Sequence, residues 1–426
     1  MTDLFADLEW RGLVHQVTDP GLPGRLVTET VTLYSGFDPT ADSLHAGSLL
    51  PILLLRRFQL AGHRPIALAG GGTGLIGDPT DRATERPLLT EEATRANVEG
   101  IRAQLGRYLD FDEGPHQAVL VDNREWLAEL GLIEFLRSVG RHATVNQMTA
   151  KDSVRSRLEE REQGLSFGEF TYMLLQAYDF LHLFDSYGCR LQLGGSDQWG
   201  NITMGIDLIR RSRGTEAFGL TTPLLLKPDG TKYGKSETGT VWLDPDRTSP
   251  YGLFQFFLRS DDAMVPALLR WYTFLDHGRI EELDGLTREH PERREGQRAL
   301  AREVTTLVHG PQEAARAERA GEVLFSPEIA ELEEETLLAV FADAPSSSRS
   351  RADLDPPGLS VVEALKDSEL ARSMGAARTN VTQGGAYVNN QRIDDPEARI
   401  TRDDLLHGRY VVLRRGKRDH HLIRFG

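Results

Sequence analysis

Three stretches of this 426-residue chain combine residue types that hold charged groups. The first, "YSGFDPTADSLHAGSLLPILLL", spans residues 34–55. It reads as a strand ending at Phe37, a loop, and a helix starting at Leu44 with Ser43 as its cap. His45 then falls in the first turn, where free backbone N–H groups and the helix dipole attract anions. Gly47 leaves room for a flat ligand against the backbone. Pro51 cannot donate to the carbonyl of residue 47, so a kink is expected beside that glycine. The second stretch, "LKPDGTKYGKSETG" at 226–239, carries Lys232, Lys235 and Ser236 on a glycine-punctuated loop. Such a loop can close over a polyphosphate and supply positive charge as negative charge develops. The third, "FTYMLLQAYDFLHLF" at 170–184, places Tyr172, Gln176 and Asp179 on one face of an apolar helix. A carboxylate among such neighbours is expected to be buried and to need a partner, either an internal cation or the polar group of a ligand.

Those residues need a frame. Short apolar runs, "TVTLYSGF", "PIALAGG", "AVLVD" and "RLQLGG", each lead into a turn rich in Gly, Asp or Ser and then a helical pattern. That alternation predicts an α/β fold with a Rossmann-type, doubly wound parallel sheet, whose ligands bind beyond the carboxyl ends of the strands. "GGGTGLIGDPT" at 70–80 is a Gly-rich turn after a strand, by itself weak evidence of dinucleotide binding. A nicotinamide enzyme would carry Gly-x-Gly-x-x-Gly after the first strand, where this chain has "GFDPTADS". Helical patterns dominate from Ser249 to Phe325, and an acidic helix-like run, "EIAELEEETLLAVF", follows. "DAPSSSRSRADLDPPG" reads as a linker. The expected division is a catalytic domain over 1–230, a mobile loop and α-helical domain over 231–342, a linker over 343–358, and a small α+β domain over 359–426.

The net charge of −15 argues against nucleic acid at first sight. It is uneven: residues 359–426 hold 12 Lys and Arg against 9 Asp and Glu, a local +3. The single cysteine, Cys189, excludes an internal disulfide and a cysteine metal cluster. No apolar run reaches the length of a membrane span, and the acidic, mixed beginning is unlike a signal peptide, so a cytoplasmic protein is expected. No metal-ligand spacing is present, and no protein-held metal cage is expected.

"HAGS" after the first strand and "KYGKS" in a late loop resemble the two signature motifs of class I aminoacyl-tRNA synthetases, HIGH and KMSKS. "YSGFDPTADSLHAG", "GGGTGLIGDPT", "YMLLQAYDF" and "GGSDQWGNI" are similar, in order and spacing, to the bacterial tyrosyl-tRNA synthetase family. The resemblance implies ATP-dependent activation of tyrosine, transfer to tRNA(Tyr), and a homodimer joined through residues 125–165. It pairs Tyr34 with Asp179 around the substrate hydroxyl and sets Asp78, Tyr172 and Gln176 at its ammonium group, with Gln198 near the carboxylate. Sites built for a hydroxyl reject phenylalanine by roughly 10⁵-fold, a value for which this family is itself the type case. Thr40 and His45 would meet the terminal phosphates of ATP, with Gly47 under adenine and Asp38, Gly36 and Ser48 nearby. Gly195 and Asp197 would lie at the ribose; Lys232, Lys235, Ser236 and Arg86 would serve the phosphates. Mg²⁺ would arrive with ATP. The chain departs from the family pattern at Ser48, where the second histidine of HIGH stands, at Ser35, often cysteine, and at Arg82, commonly lysine. The tail resembles a small RNA-binding domain shared with a ribosomal small-subunit protein. This implies RNA contacts at Arg378 and at the basic strand end Arg414, Arg415, Lys417 and Arg418.

Overall fold

Five short runs of four to seven residues, too short for helices, and one two-residue strand form a six-stranded sheet in the computed structural model. Its strands are β1 (Gln16–Val17), β2 (Thr32–Phe37), β3 (Arg64–Ala69), β4 (Val119–Asp122), β5 (Cys189–Gly195) and β6 (Phe218–Thr222). The structure describes residues 3–79, 89–151, 154–155, 165–226, 233–236, 239–323, 326–342, 344–416 and 419–426. The strand order is β1-β6-β5-β2-β3-β4. Neighbours are parallel except the short β1, which runs against β6. The chain leaves β2 toward β3 and β4 on one side and later returns to β5 on the other. The order therefore reverses at β2, and that is where an open α/β sheet leaves a crevice for a ligand.

Helices cover the sheet because their apolar residues have nowhere else to go. Helix Ala46–Leu60 buries Leu49, Ile52, Leu53, Leu55 and Phe58. Helix Phe167–Tyr187 opens on a capping box between Ser166 and Glu169 and ends on Gly188 in the left-handed conformation. It packs on helix Trp199–Arg213 through Phe180, which lies against Gly205, where a Cβ would come within 3.0 Å of its ring. Full burial of each large apolar side chain contributes about 1.5–3 kcal/mol.

The chain divides into two compact units: residues 1–247 with 260–296, and residues 248–259 with 297–426. This displaces the boundary expected at 230. The residues between 231 and 247 that the structure describes stay with the sheet, including the hairpin β7 (Lys235–Ser236) and β8 (Gly239–Thr240). Within the second unit, helix Pro250–Leu258 has Ser249 as its cap and Pro250 at its start, as its sequence predicts. The acidic run is not one helix: a 3-10 turn at Pro327–Glu331 and helix Glu334–Val340 are separated by the extended Leu332.

The linker expected at 343–358 is folded structure over its described residues, 344–358. β9 (Ser346–Arg349) pairs in parallel with the last strand, and Arg351–Leu354 forms a 3-10 turn. Further on come β10 (Leu359–Ser360), β11 (Ala386–Val388), β12 (Gln391–Ile393), β13 (Arg399–Ile400), β14 (Tyr410–Arg415) and β15 (Asp419–Phe425). The five-stranded order is β12-β11-β14-β15-β9. A serine-rich strand has no apolar periodicity to betray it; its backbone groups satisfy the open edge of β15 instead. Helices and sheet share one core, in which Ala320, Ile329, Leu337 and Phe341 pack with Leu406, Val412 and Leu422.

Candidate active site

At the carboxyl ends of β2 and β5 lies a cavity of about 270 Å³, the size of one amino acid rather than a nucleotide. It is lined by Tyr34, Gly36 and Asp38 from β2 and its following loop, and by Gln192, Gly195, Asp197 and Gln198 from β5 and its turn. Asp78, Tyr172, Gln176 and Asp179 complete the wall, with Pro51 from helix Ala46–Leu60. Ten of the residues expected to form the site from sequence thus share one cavity.

Its floor is an unusual electrostatic environment. Asp179 is 2% exposed, and no cation pairs with it among the described residues. The amide of Asn123 donates to its Oδ2 at 2.9 Å and the indole of Trp126 to its Oδ1 at 2.7 Å. Burial lifts the carboxyl from the ordinary 3.8 to about 7, opposed by these two donors and reinforced by Asp38 and Asp122. The internal salt bridge allowed by the sequence is absent there. Beside it, the Tyr34 hydroxyl is buried with no hydrogen-bond partner among the described residues, and so is Oε1 of Gln192. Burial and the nearby Asp179 push the Tyr34 phenol well above its usual range, so it stays protonated. A buried unpaired hydroxyl costs about 1–3 kcal/mol, which a ligand group arriving there would recover.

Higher in the cavity the polar residues form a chain. Gln198 donates to Asp78 at 2.9 Å, and Asn201 donates to both Gln176 and Gln198 at 3.0 Å. Asp38 accepts from the Tyr172 hydroxyl at 2.9 Å and from Thr73 at 3.0 Å. These bonds hold Asp38 in the wall of the cavity. Spacing gave no sign of Asn123, Trp126, Thr73 or Asn201. The one available signal was that Asn123 follows the carboxyl end of the strand read as "AVLVD". The Gly-rich turn is also explained: Gly71 N–H donates to Asp122, and Gly72 N–H to Asn123 at 2.7 Å. Those amides are occupied by protein, so the turn is no phosphate cradle.

The start of helix Ala46–Leu60 differs from its expected form. His45 is extended and is itself the cap, and the helix begins at Ala46. Ser43 donates instead to the Leu44 carbonyl and accepts from Gln104. The cause is a strand-like contact: Ala46 N–H donates to Val241 O and Leu243 N–H to Leu44 O, each at 2.8 Å. Ser48 N–H donates to Nδ1 of His45 at 3.2 Å. The Ala46 and Ser48 amides are therefore not open to an anion. A backbone amide can only donate, so Nδ1 is the acceptor and a neutral imidazole carries its proton on Nε2. The His45 ring folds back over Gly47; a Cβ there would lie 3.0 Å from Cε1, a tight contact. Thr40 is exposed, its N–H donating to Asp38 O at 2.9 Å. Arg86 and Lys232 lie outside the described residues; Lys235 and Ser236 form β7.

In the second unit Arg414 is 6% exposed. Its guanidinium lies 3.6 Å over the Tyr387 ring and donates to Asn390 and to the Gly416 carbonyl, so it braces the sheet instead of awaiting RNA. Arg415 is tied to Asp419 and the Leu370 carbonyl, and the exposed Arg378 to Glu397. Lys417 and Arg418 lie outside the described residues. An open hollow of about 510 Å³ beside Arg302 is a solvated furrow, where Arg302 pairs with Glu318 and Arg319 with Glu331.

A mostly parallel sheet with a polar cavity at its switch point and a histidine-capped helix beside it defines a doubly wound α/β domain built to bind a small ligand. Residues 27–326 match the family described as tRNA synthetases class I (W and Y). The chain belongs to that class. Residues 337–423 match the tyrosine–tRNA ligase SYY-like C-terminal domain. The tyrosine–tRNA ligase of Roseiflexus castenholzii is 54% identical over 424 residues, covering 100% of both chains. That of Opitutus terrae is 51% identical over 99% of both. Within the class, then, the chain is a member of the tyrosine–tRNA ligase family. A C-terminally truncated mitochondrial tyrosyl-tRNA synthetase of Aspergillus nidulans superposes with a TM-score of 0.68 at 33% identity, covering 76% of this chain and 95% of that one.

Proposed function

We propose that the protein activates tyrosine with ATP to tyrosyl-adenylate, releasing pyrophosphate, and then passes the tyrosyl group to the 3′ end of tRNA(Tyr). The observation that carries this reading is the unpartnered Tyr34 hydroxyl beside Asp179 on the floor of an amino-acid-sized cavity. A substrate phenol there accepts from Tyr34, supplying its missing partner, and donates to Asp179, whose oxygens each keep a further lone pair. Asp78, Gln176 and Tyr172 face its ammonium group, and Gln198 its carboxylate.

Activation needs no general base, because the substrate carboxylate is already ionised. One of its oxygens attacks the α-phosphorus, the bond to the bridging oxygen breaks, and pyrophosphate departs with the electron pair. Catalysis is then positioning and charge stabilisation. The Nε2–H of His45 and Thr40 serve the terminal phosphates, joined by Lys232, Lys235, Ser236 and Arg86; Mg²⁺ accompanies ATP. Gly36, Gly47 and Ser48 border the nucleotide, and Gly195 and Asp197 its ribose. In the second step a terminal ribose hydroxyl of tRNA attacks the carbonyl carbon and AMP leaves.

Arg378, Arg415, Lys417 and Arg418 form the RNA-facing charge of the tail, with Arg414 as their support. Helix Leu132–Ser138 leaves Leu132 70%, Ile133 69% and Leu136 50% exposed, and Val145 is 63% exposed. Apolar exposure concentrated in one segment fits a twofold partner copy. No helix among the described residues is long and apolar enough to cross a membrane. The cytoplasm, where tRNA is charged, is the proposed compartment, a placement that the lone buried cysteine supports. Pyrophosphate exchange run with each of the common amino acids tests the reading. Exchange driven by tyrosine alone is expected; exchange driven by another amino acid, or by none, would overturn it.

A further inference from the structure

His45 is braced from outside the site. An isolated antiparallel bridge pairs it with Trp242, just beyond the lysine-bearing loop. The Trp242 indole meets the His45 imidazole edge-on, with ring centroids 6.5 Å apart and an interplanar angle of 64°. Across the indole lies the Arg247 guanidinium, 4.1 Å from the ring centroid, and this guanidinium pairs with Asp42 at 2.8 Å. Asp42 precedes His45 by three residues on the loop that ends at the helix cap. The contacts therefore close a circuit from Asp42 through Arg247 and Trp242 to His45.

The pieces differ in what they can do. Arg247 is 38% and Asp42 60% exposed, so their ion pair alone contributes little to stability. A planar guanidinium that stacks on an indole while holding a carboxylate is nonetheless fixed in direction, and it fixes the indole with it. The imidazole is tethered at Nδ1 by the Ser48 amide, leaving rotation of its Nε2 edge to be limited by what lies beside it. Trp242 is an aromatic neighbour of this ring. Stabilising a charge that develops on a leaving group demands a donor already aimed before the reaction.

We infer that Trp242, held in place by Arg247 and Asp42, is a positioning residue that aims the His45 Nε2–H at the phosphates during tyrosine activation. The inference rests on the reading of His45 as a phosphate ligand, and the test separates the two. Tyrosine-dependent pyrophosphate exchange is measured for the full chain and for Arg247→Ala, Arg247→Lys, His45→Ala and the Arg247→Ala/His45→Ala double variant. Thermal melts establish that each is folded. Arg247→Ala is expected to lower kcat roughly tenfold while KM for tyrosine stays unchanged, because misaiming one donor costs rate rather than amino-acid binding. Arg247→Lys keeps the charge over the indole and is expected to recover most of that loss. In the His45→Ala background, Arg247→Ala is expected to add nothing. An additive loss in the double variant, or a wild-type kcat for Arg247→Ala beside an impaired His45→Ala, overturns the positioning role alone. A wild-type kcat for His45→Ala overturns the reading of His45 and this inference with it.

Discussion

Replacing Asp179 with asparagine should separate what this carboxylate does for the substrate from what it costs the protein. The side chain keeps its shape but loses its charge and one of its two acceptor oxygens. A hydrogen bond from a substrate phenol to a charged acceptor contributes about 1.5–3 kcal/mol, so tyrosine should bind roughly 10- to 150-fold more weakly. Phenylalanine makes no such bond, and the tyrosine-over-phenylalanine ratio in kcat/KM should fall by the same factor. The pH dependence is a second signature. Burial lifts the Asp179 carboxyl to about 7 in the folded protein against 3.8 ordinarily, with no cation beside it among the described residues. Only its ionised form accepts the phenol proton as a charge, so tyrosine affinity should fall as pH drops below about 7 and level off once roughly that same 10- to 150-fold is lost, and Asp179→Asn should be flat. Stability follows with the opposite preference. A folded-state value above the unfolded one means that this group's contribution is fully present below about pH 4 and is lost as pH rises through about 7. A lift from 3.8 to about 7 corresponds to about 4 kcal/mol at alkaline pH. The asparagine amide returns part of that, since its NH₂ must face either Asn123 or Trp126, a donor against a donor at about 1–3 kcal/mol. The variant should therefore gain stability relative to wild type as pH is raised from about 5 to 8, while discriminating less well. Equilibrium tyrosine binding and thermal melts at several pH values measure both. Unchanged discrimination, together with a pH-independent stability difference, would refute the reasoning.

Other consequences are equally direct. A chain ending near Ser346 should still form tyrosyl-adenylate but charge tRNA poorly. It should also lose cooperative melting of residues 297–342, because Leu337 and Phe341 lose partners worth about 1.5–3 kcal/mol each; loss of exchange while the first unit remains folded would contradict this. Leu136→Asp should yield monomers in sedimentation, placing a charge where an apolar partner face is expected, and an unaltered dimer would remove that face from the proposal. His63, 2% exposed and accepting from Val31 N–H, is held below the ordinary histidine range by burial and by His116. The unfolded chain therefore takes up the proton first, and stability should decline as pH falls below about 6.5. His63→Asn should flatten that decline in melts compared at about pH 7.5 and 5.5, and an unchanged slope would assign it to other groups.

The cavity was legible in the sequence where chemistry coincided with periodicity. Tyr172, Gln176 and Asp179 repeat at helical spacing within an apolar run, and Tyr34 sits on a strand whose carboxyl end had to face a crevice. The partners that set Asp179's charge state were not legible. Asn123 and Trp126 arrive from beyond β4, more than fifty residues away, and only the sheet order brings them beneath the helix. The cap of helix Ala46–Leu60 moved from Ser43 to His45 for a similar reason: Val241 and Leu243 bond to Ala46 and Leu44 on either side of the extended His45, a pairing that no local propensity encodes. β9 was hidden because "SSSR" pairs through its backbone, whereas composition alone described a linker. Arg414 illustrates the converse, a basic residue at a basic strand end that turns inward to stack on Tyr387.

A crystal structure of the full chain with bound tyrosine tests the central claim most directly. The account predicts the phenol oxygen within hydrogen-bonding distance of both the Tyr34 hydroxyl and an Asp179 carboxylate oxygen, with the ammonium group among Asp78, Tyr172 and Gln176. A tyrosine bound with its ring reversed, or seated outside the cavity at the ends of β2 and β5, would contradict it.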